Sequence, residues 1–203
     1  MRFRYLAALA LSFAIHTAAA ADAAEKLVLE PYPGDTPWQE VTNQSNGNQW
    51  LREQIPADQK IEAYKDILTA QSFPQQKNVD PTTFLKNLFA GVTTACERVK
   101  VNGPKAQEEN GVPVAYAQIF CNRQKGTDFG VNMFFKVIQG SEALYVVQRE
   151  FRVPPAEAPG MMAFEKAEQA MALMRNMSVA NGYLIKSAYL CGPQSTNKRC
   201  ATP

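Results

Sequence analysis

Apolar residues recur along this chain with two periods, and the periods divide it into elements. Between residues 80 and 99, Phe84, Leu85, Leu88, Phe89, Val92, Ala95, Cys96 and Val99 fall within an arc of about 140° at about 100° per residue, the stripe of a helix packed on a core. Asp80 supplies the N-cap, and Pro81 the first helical residue, where a missing N–H costs nothing. Lys86, Thr93, Thr94, Glu97 and Arg98 occupy the remaining circumference, and Asn102-Gly103-Pro104 is the expected stop. A second helix is predicted from about Met161 to Met177, with Phe164, Ala167, Ala170, Met171, Leu173, Met174 and Met177 on its buried half.

Elsewhere the period is two. Ala115, Ala117, Ile119 and Cys121 share one face of a strand. Phe129, Val131, Met133, Phe135 and Val137 alternate with Gly130, Asn132, Phe134, Lys136 and Ile138 in the next. A Gly140-Ser141 turn leads into a third run, Ala143 to Val153, and the three read as an antiparallel meander with one dry face. A polar loop around Glu108-Glu109-Asn110-Gly111 precedes them, and Pro154-Pro155 through Pro159-Gly160 connects them to the second helix. Near the start, Lys26 to Pro31 reads as a strand ended by Pro33-Gly34-Asp35. Trp38 to Thr42 and Gln49 to Ile55 form a hairpin about Asn46-Gly47. Ile61 to Phe73 begins in a pattern open to helix or strand and becomes strand-like from Ile67, and Tyr183 to Cys191 is the expected last strand. The predicted class is α+β: one globular domain over residues 25–203, with a central antiparallel sheet and two principal helices.

Residues 1–20 read as a cleavable secretory signal. Arg2 and Arg4 form the positive n-region, Leu6 to Ala14 the apolar h-region, and Ala18 to Ala21 the small-residue cleavage zone. The apolar run is too short for a membrane anchor, so cleavage is expected, with the first mature residue between Ala21 and Glu25, and the product is expected in the periplasm or secreted. If cleavage follows Ala20, two of the 21 Lys and Arg leave with the signal while all 19 Asp and Glu remain, and the mature domain is formally neutral. Neutrality gives no electrostatic reason to bind nucleic acid or an anionic membrane. Four cysteines in an exported chain predict two disulfides, and three pairings exist. The small face of Ala115 and Ala117 lets a helix approach closely, which favours Cys96 with Cys121 and leaves Cys191 with Cys200.

The only histidine, His16, lies in the signal, so the mature protein lacks the commonest base and metal ligand. No Cys-x-x-Cys spacing supports redox or metal thiols. Ser195-Thr196-Asn197-Lys198 matches a Ser-x-x-Lys pattern but sits in a polar tail without a Lys-Thr-Gly partner. Glu108, Glu109 and Glu150 are the carboxylates a hydrolase would use, yet no spacing places two of them across a cleft. Met171, Met174 and Met177 are soft ligands for Cu(I), but successive members are offset by about 60° on a helix and core packing is the expected role. No cofactor is expected. The remaining candidate is a mixed polar and aromatic sheet face of Tyr116, Gln118, Phe120, Asn132, Phe134, Lys136, Gln148, Glu150 and Arg152. It would receive a partner or small ligand unless the N-terminal hairpin covers it.

The element order has an extended N-terminal half and a helix ending at Cys96. Strands carrying Cys121 and Ala143-Leu144-Tyr145-Val146-Val147-Gln148-Arg149 follow, then a second helix and a terminal strand. This order resembles small exported bacterial domains of unassigned role with the PsbP/Mog1-like α/β sandwich. The resemblance implies binding or accessory work by analogy and carries over no functional residue. The expected function is a non-enzymatic periplasmic accessory or binding protein of the cell envelope, its partner a periplasmic protein or small ligand, with no stable membrane insertion after processing. An inhibitor or immunity protein against a secreted toxin is the alternative, and a carboxylate-based hydrolase ranks below both.

Overall fold

The computed structural model describes residues 24–161 and 163–201; the predicted signal of residues 1–20 lies outside the described residues. In chain order the strands and helices are β1 (Lys26–Leu29), β2 (Trp38–Asn46), β3 (Gln49–Pro56), β4 (Asp66–Phe73), α1 (Pro81–Ala95), β5 (Val99–Glu109), β6 (Val112–Cys121), β7 (Gly130–Gln139), β8 (Leu144–Val153), α2 (Ala167–Lys186) and β9 (Ala188–Cys191). Seven strands form one antiparallel sheet in the order β2-β3-β4-β8-β7-β6-β5, and β1 pairs with β9 in a separate two-stranded ribbon. The class is α+β, as the mixture of periods predicts.

Several elements follow from local chemistry. The Asp80 carboxylate accepts from the Thr83 N–H at 2.9 Å and caps α1. Gly47, at φ 60°, closes the β2–β3 hairpin. The undecided stretch before β4 is a single 3-10 turn, Ile61–Ala63, followed by strand.

Four predicted boundaries need correction. α1 ends at Ala95, and Val99 belongs to β5, an edge strand unforeseen because most of its positions face water and it lacks a clean alternation. A register shift between Asn102 and Lys105 accommodates Pro104, which an edge strand tolerates. The expected polar loop is the end of this strand plus an Asn110-Gly111 turn, with φ 52° and 80°, leading directly into β6. α2 begins at Ala167 rather than near Met161 and runs through Tyr183 to Lys186, so the last strand is only β9.

α1 covers one face of the sheet. Leu85 and Phe89 pack on Ala115, Ala117, Phe135 and Val146, and the Cys96–Cys121 disulfide fastens the end of the helix to β6. The opposite face carries the C-terminal half of α2, where Ala180, Tyr183 and Leu184 meet Phe134, Val147, Phe151 and Val153. The β1–β9 ribbon lies beside α2, with Leu27 and Leu190 against Ile138 and Tyr145, and Cys191–Cys200 closes the tail. Two disulfides suit an oxidising compartment, and no described helix is long and apolar enough to cross a membrane.

Candidate functional site

The strand register divides the predicted binding face in two. Lys136 pairs with Val147, Phe134 with Arg149 and Asn132 with Phe151, whereas Gln148 pairs with Phe135, Glu150 with Met133 and Arg152 with Val131. Directly paired residues share a face, so Gln148, Glu150 and Arg152 lie on the α1 side. Tyr116, Gln118, Phe120, Asn132, Phe134 and Lys136 lie on the α2 side. This corrects the single face expected from sequence: alternation assigns sides within each strand, but only the register relates one strand to the next. The cover on the α2 side is α2 with the β1–β9 ribbon. The β2–β3 hairpin instead extends the edge of the sheet.

Under α2, the Asn132 amide approaches the Met177 sulfur at 3.7 Å, and Phe134 stands edge-on to Phe120 and Phe151. Tyr116 and Gln118 are half-buried and line a cleft of about 740 Å³ with Asn181 and Ile185 of α2. Lys136 is fully buried, donates to Glu109 Oε2 at 2.6 Å and to the Ala188 carbonyl at 2.7 Å, and Tyr116 also donates its hydroxyl proton to Glu109. Burial lowers the Lys136 pKa against the opposing pull of Glu109, and burial followed by the Glu109 hydrogen bond raises that of Tyr116. Glu109 thus ties β5, β6 and β7 together.

On the α1 side, Glu150 accepts from the Tyr64 hydroxyl at 2.8 Å, and the Arg152 guanidinium lies 3.6 Å from the centre of the Tyr64 ring. Burial pushes Glu150 upward, while burial and the neighbouring carboxylate push Tyr64 up to about 12. Glu109 and Glu150 therefore stand on opposite faces of the sheet and do not flank one substrate. Glu108 is exposed on the edge strand. Ser195 Oγ accepts from the Asn197 N–H, and no hydrogen bond joins it to Lys198 among the described residues. Met171 and Met174, expected in the core, are exposed at 46% and 50%.

The arrangement that sequence reasoning missed is centred on Arg149. Its guanidinium is completely buried on the α2 side and grips Asp66 through Nε–Oδ1 at 3.1 Å, Nη2–Oδ1 at 2.6 Å and Nη2–Oδ2 at 2.6 Å. Its Cζ lies 4.0 Å from the centre of the Tyr32 ring and 4.4 Å from that of Trp38. These rings themselves are 4.8 Å apart. Burial raises the Asp66 pKa, and the Arg149 charge opposes that rise. Among the described residues, Arg149 Nη1 and the Tyr32 hydroxyl are buried without a hydrogen-bond partner. Beside them opens a cleft of about 550 Å³ with Tyr32, Trp38 and Asp66 on one side and Leu173 and Asn176 of α2 on the other. The signal was present in the sequence: Arg149 occupies the apolar phase of Val147, Phe151 and Val153, where a charge must find a partner.

No protein-family model matches the chain, and no curated protein matches it by sequence. Among solved structures it is similar to that of LpqN, involved in cell envelope biogenesis of Mycobacterium tuberculosis. The two are 16% identical with a TM-score of 0.37, and the match covers 83% of this chain and 84% of that one.

Proposed function

We propose that the protein is a non-enzymatic accessory or binding protein of the cell envelope, working in the periplasm or after secretion, and that it holds a small ligand in the cleft beside Asp66 and Arg149. The observation that carries this reading is the buried Tyr32 hydroxyl, left without a hydrogen-bond partner among the described residues at an aromatic-walled cleft that the Asp66–Arg149 pair backs. Buried polar groups are ordinarily paired, and small-ligand sites combine apolar walls with a few such groups. Because Asp66 already neutralises Arg149 behind the cleft, a neutral ligand oxygen, such as a carbonyl or hydroxyl, suits the Tyr32 hydroxyl better than a second carboxylate. The two disulfides and the predicted export signal support the location.

The test is native mass spectrometry of the mature, oxidised protein exposed to soluble envelope extract, read together with Trp38 fluorescence in a Trp50→Phe background. We expect a small-molecule adduct and a change in Trp38 emission, both weakened about tenfold by Tyr32→Phe, the loss of about one hydrogen bond. No adduct and an unchanged emission would remove the cleft from the proposal. A protein-directed inhibitor or immunity role is the second reading. It is favoured by the exposed side chains of Met161, Met171 and Met174 at 56%, 46% and 50%, because exposed methionines suit adaptable protein contacts.

A further inference from the structure

Among the described residues, β1 is hydrogen-bonded along one side only. Its pairing runs from Lys26 opposite Cys191 to Leu29 opposite Ala188, and the Glu30 N–H continues it onto the Ser187 carbonyl at 2.9 Å. In an antiparallel pair, alternate residues direct both backbone groups toward the same neighbour. Lys26, Val28 and Glu30 therefore face β9, while Leu27 and Leu29 turn their N–H and C=O groups to the other edge. Among the described residues, no backbone hydrogen bond outside the β1–β9 pairing takes up those groups. The edge borders a groove of about 380 Å³, with Trp50 and Arg52 of β3 on the far wall and Leu68, Ala70 and Tyr145 beneath. Arg52 stacks on Trp50, its Cζ 5.5 Å from the ring centre, and forms no ion pair among the described residues, while the two carboxylates that line the groove are engaged elsewhere, Glu25 by the Ser141 and Glu142 N–H groups and Glu40 by the Asn43 amide at 2.8 Å.

We infer that the β1 edge binds an extended acidic peptide segment of a partner protein, which joins the β1–β9 ribbon as a third strand and lies over β3 and β4. Leu27 and Leu29 repeat a donor and an acceptor at a spacing of about 6.6 Å, which matches the backbone of an extended chain. The unpaired Arg52 selects an acidic side chain on the inward face of that strand. The buried floor of Leu68 and Ala70 receives its small or apolar neighbours. Strand addition at this edge is separate from the cleft at Asp66 and Arg149, and each can fail without the other.

The probe is a displayed library of random seven-residue peptides selected on the mature, oxidised protein, with the enriched sequences resynthesised. Enrichment of Asp or Glu at alternate positions is expected, with backbone amide shifts centred on Leu27 and Leu29. N-methylation of alternate peptide amides should weaken binding about tenfold, because each lost hydrogen bond is worth about 1 kcal/mol, and Arg52→Glu should do so independently. Because the N-methylated probe leaves the protein untouched, that arm stands even if Arg52→Glu disturbs folding. No enrichment, indifference to N-methylation, or shifts confined to the Trp38 side would overturn the inference. Self-association that protects the Leu27 and Leu29 amides would assign the edge to a second copy of the chain and overturn it equally.

Discussion

Arg149 shows what one buried charge requires of its surroundings. Its carboxylate partner comes from β4 and its aromatic neighbours from the segment leading into β2, so three distant stretches of chain converge on one guanidinium. Removing one member of such a pair leaves the other charge buried and unpaired, at a cost of about 3–5 kcal/mol, whereas replacing both with apolar residues of similar volume costs much less. Asp66→Ala should therefore destabilise the protein by about that amount in urea denaturation, and the double variant Asp66→Leu with Arg149→Met should recover most of the loss. A double variant weaker than Asp66→Ala would show that the pair contributes net stability rather than only demanding compensation. Part of this was legible: Arg149 interrupts the apolar phase of its strand. Its partner was not, because nothing local relates Asp66 to a residue more than 80 positions away.

At the scale of elements, α2 separates pattern from packing. The stripe predicted to be buried includes Ala167, Met171 and Met174, but the structure exposes all three and buries Ala180, Tyr183 and Leu184, with Leu173 on the same side. The inward direction differs by about 120° around the helix. The physical reason is that only the C-terminal half of α2 rests on the sheet, so the methionines of its first turns meet solvent and the cleft takes Asn176. Met171→Lys and Met174→Lys should each change stability by less than about 0.5 kcal/mol, whereas Leu184→Ala should cost about 2–5 kcal/mol. Thermal and urea denaturation of the three variants decides between the two orientations: a large loss at Met174 would restore the sequence-based one. β5 teaches a related lesson, since an edge strand wetted over most of its length need not show the alternation by which strands are recognised.

For the whole molecule, closure comes from the two ends of the domain meeting. β1 pairs with β9, the Glu25 carboxylate accepts from the Ser141 and Glu142 N–H groups at 2.7 and 3.1 Å, and Glu30 pairs with Arg199 at 2.7 Å. The disulfides reinforce different parts of this assembly, with sequence separations of 25 and 9 residues. In the chain-entropy description, replacing Cys96 and Cys121 by Ala should cost about 3.5 kcal/mol and replacing Cys191 and Cys200 about 2.7 kcal/mol. Denaturation of the two double variants measures the order, and amide exchange should show faster opening of β1 and β9 in the second. Equal exchange in β1 across both variants would mean that the tail does not hold the ribbon.

What the sequence determined by itself is what neighbouring residues decide: the capped start of α1 at Asp80, the turn at Gly47, the alternating faces of β6, β7 and β8, the mixed α+β class, and the disulfide partners inferred from a small strand face beneath a helix. Tertiary structure alone decided how those faces align from strand to strand, which side of α2 turns inward, that residues 99–109 form a strand, and that Asp66, Arg149, Tyr32 and Trp38 share one site. The difference has a physical cause. Caps and turns are set by hydrogen bonds and torsions within a few residues, whereas register, helix orientation and the pairing of buried charges minimise the free energy of surfaces that meet only after the chain has folded.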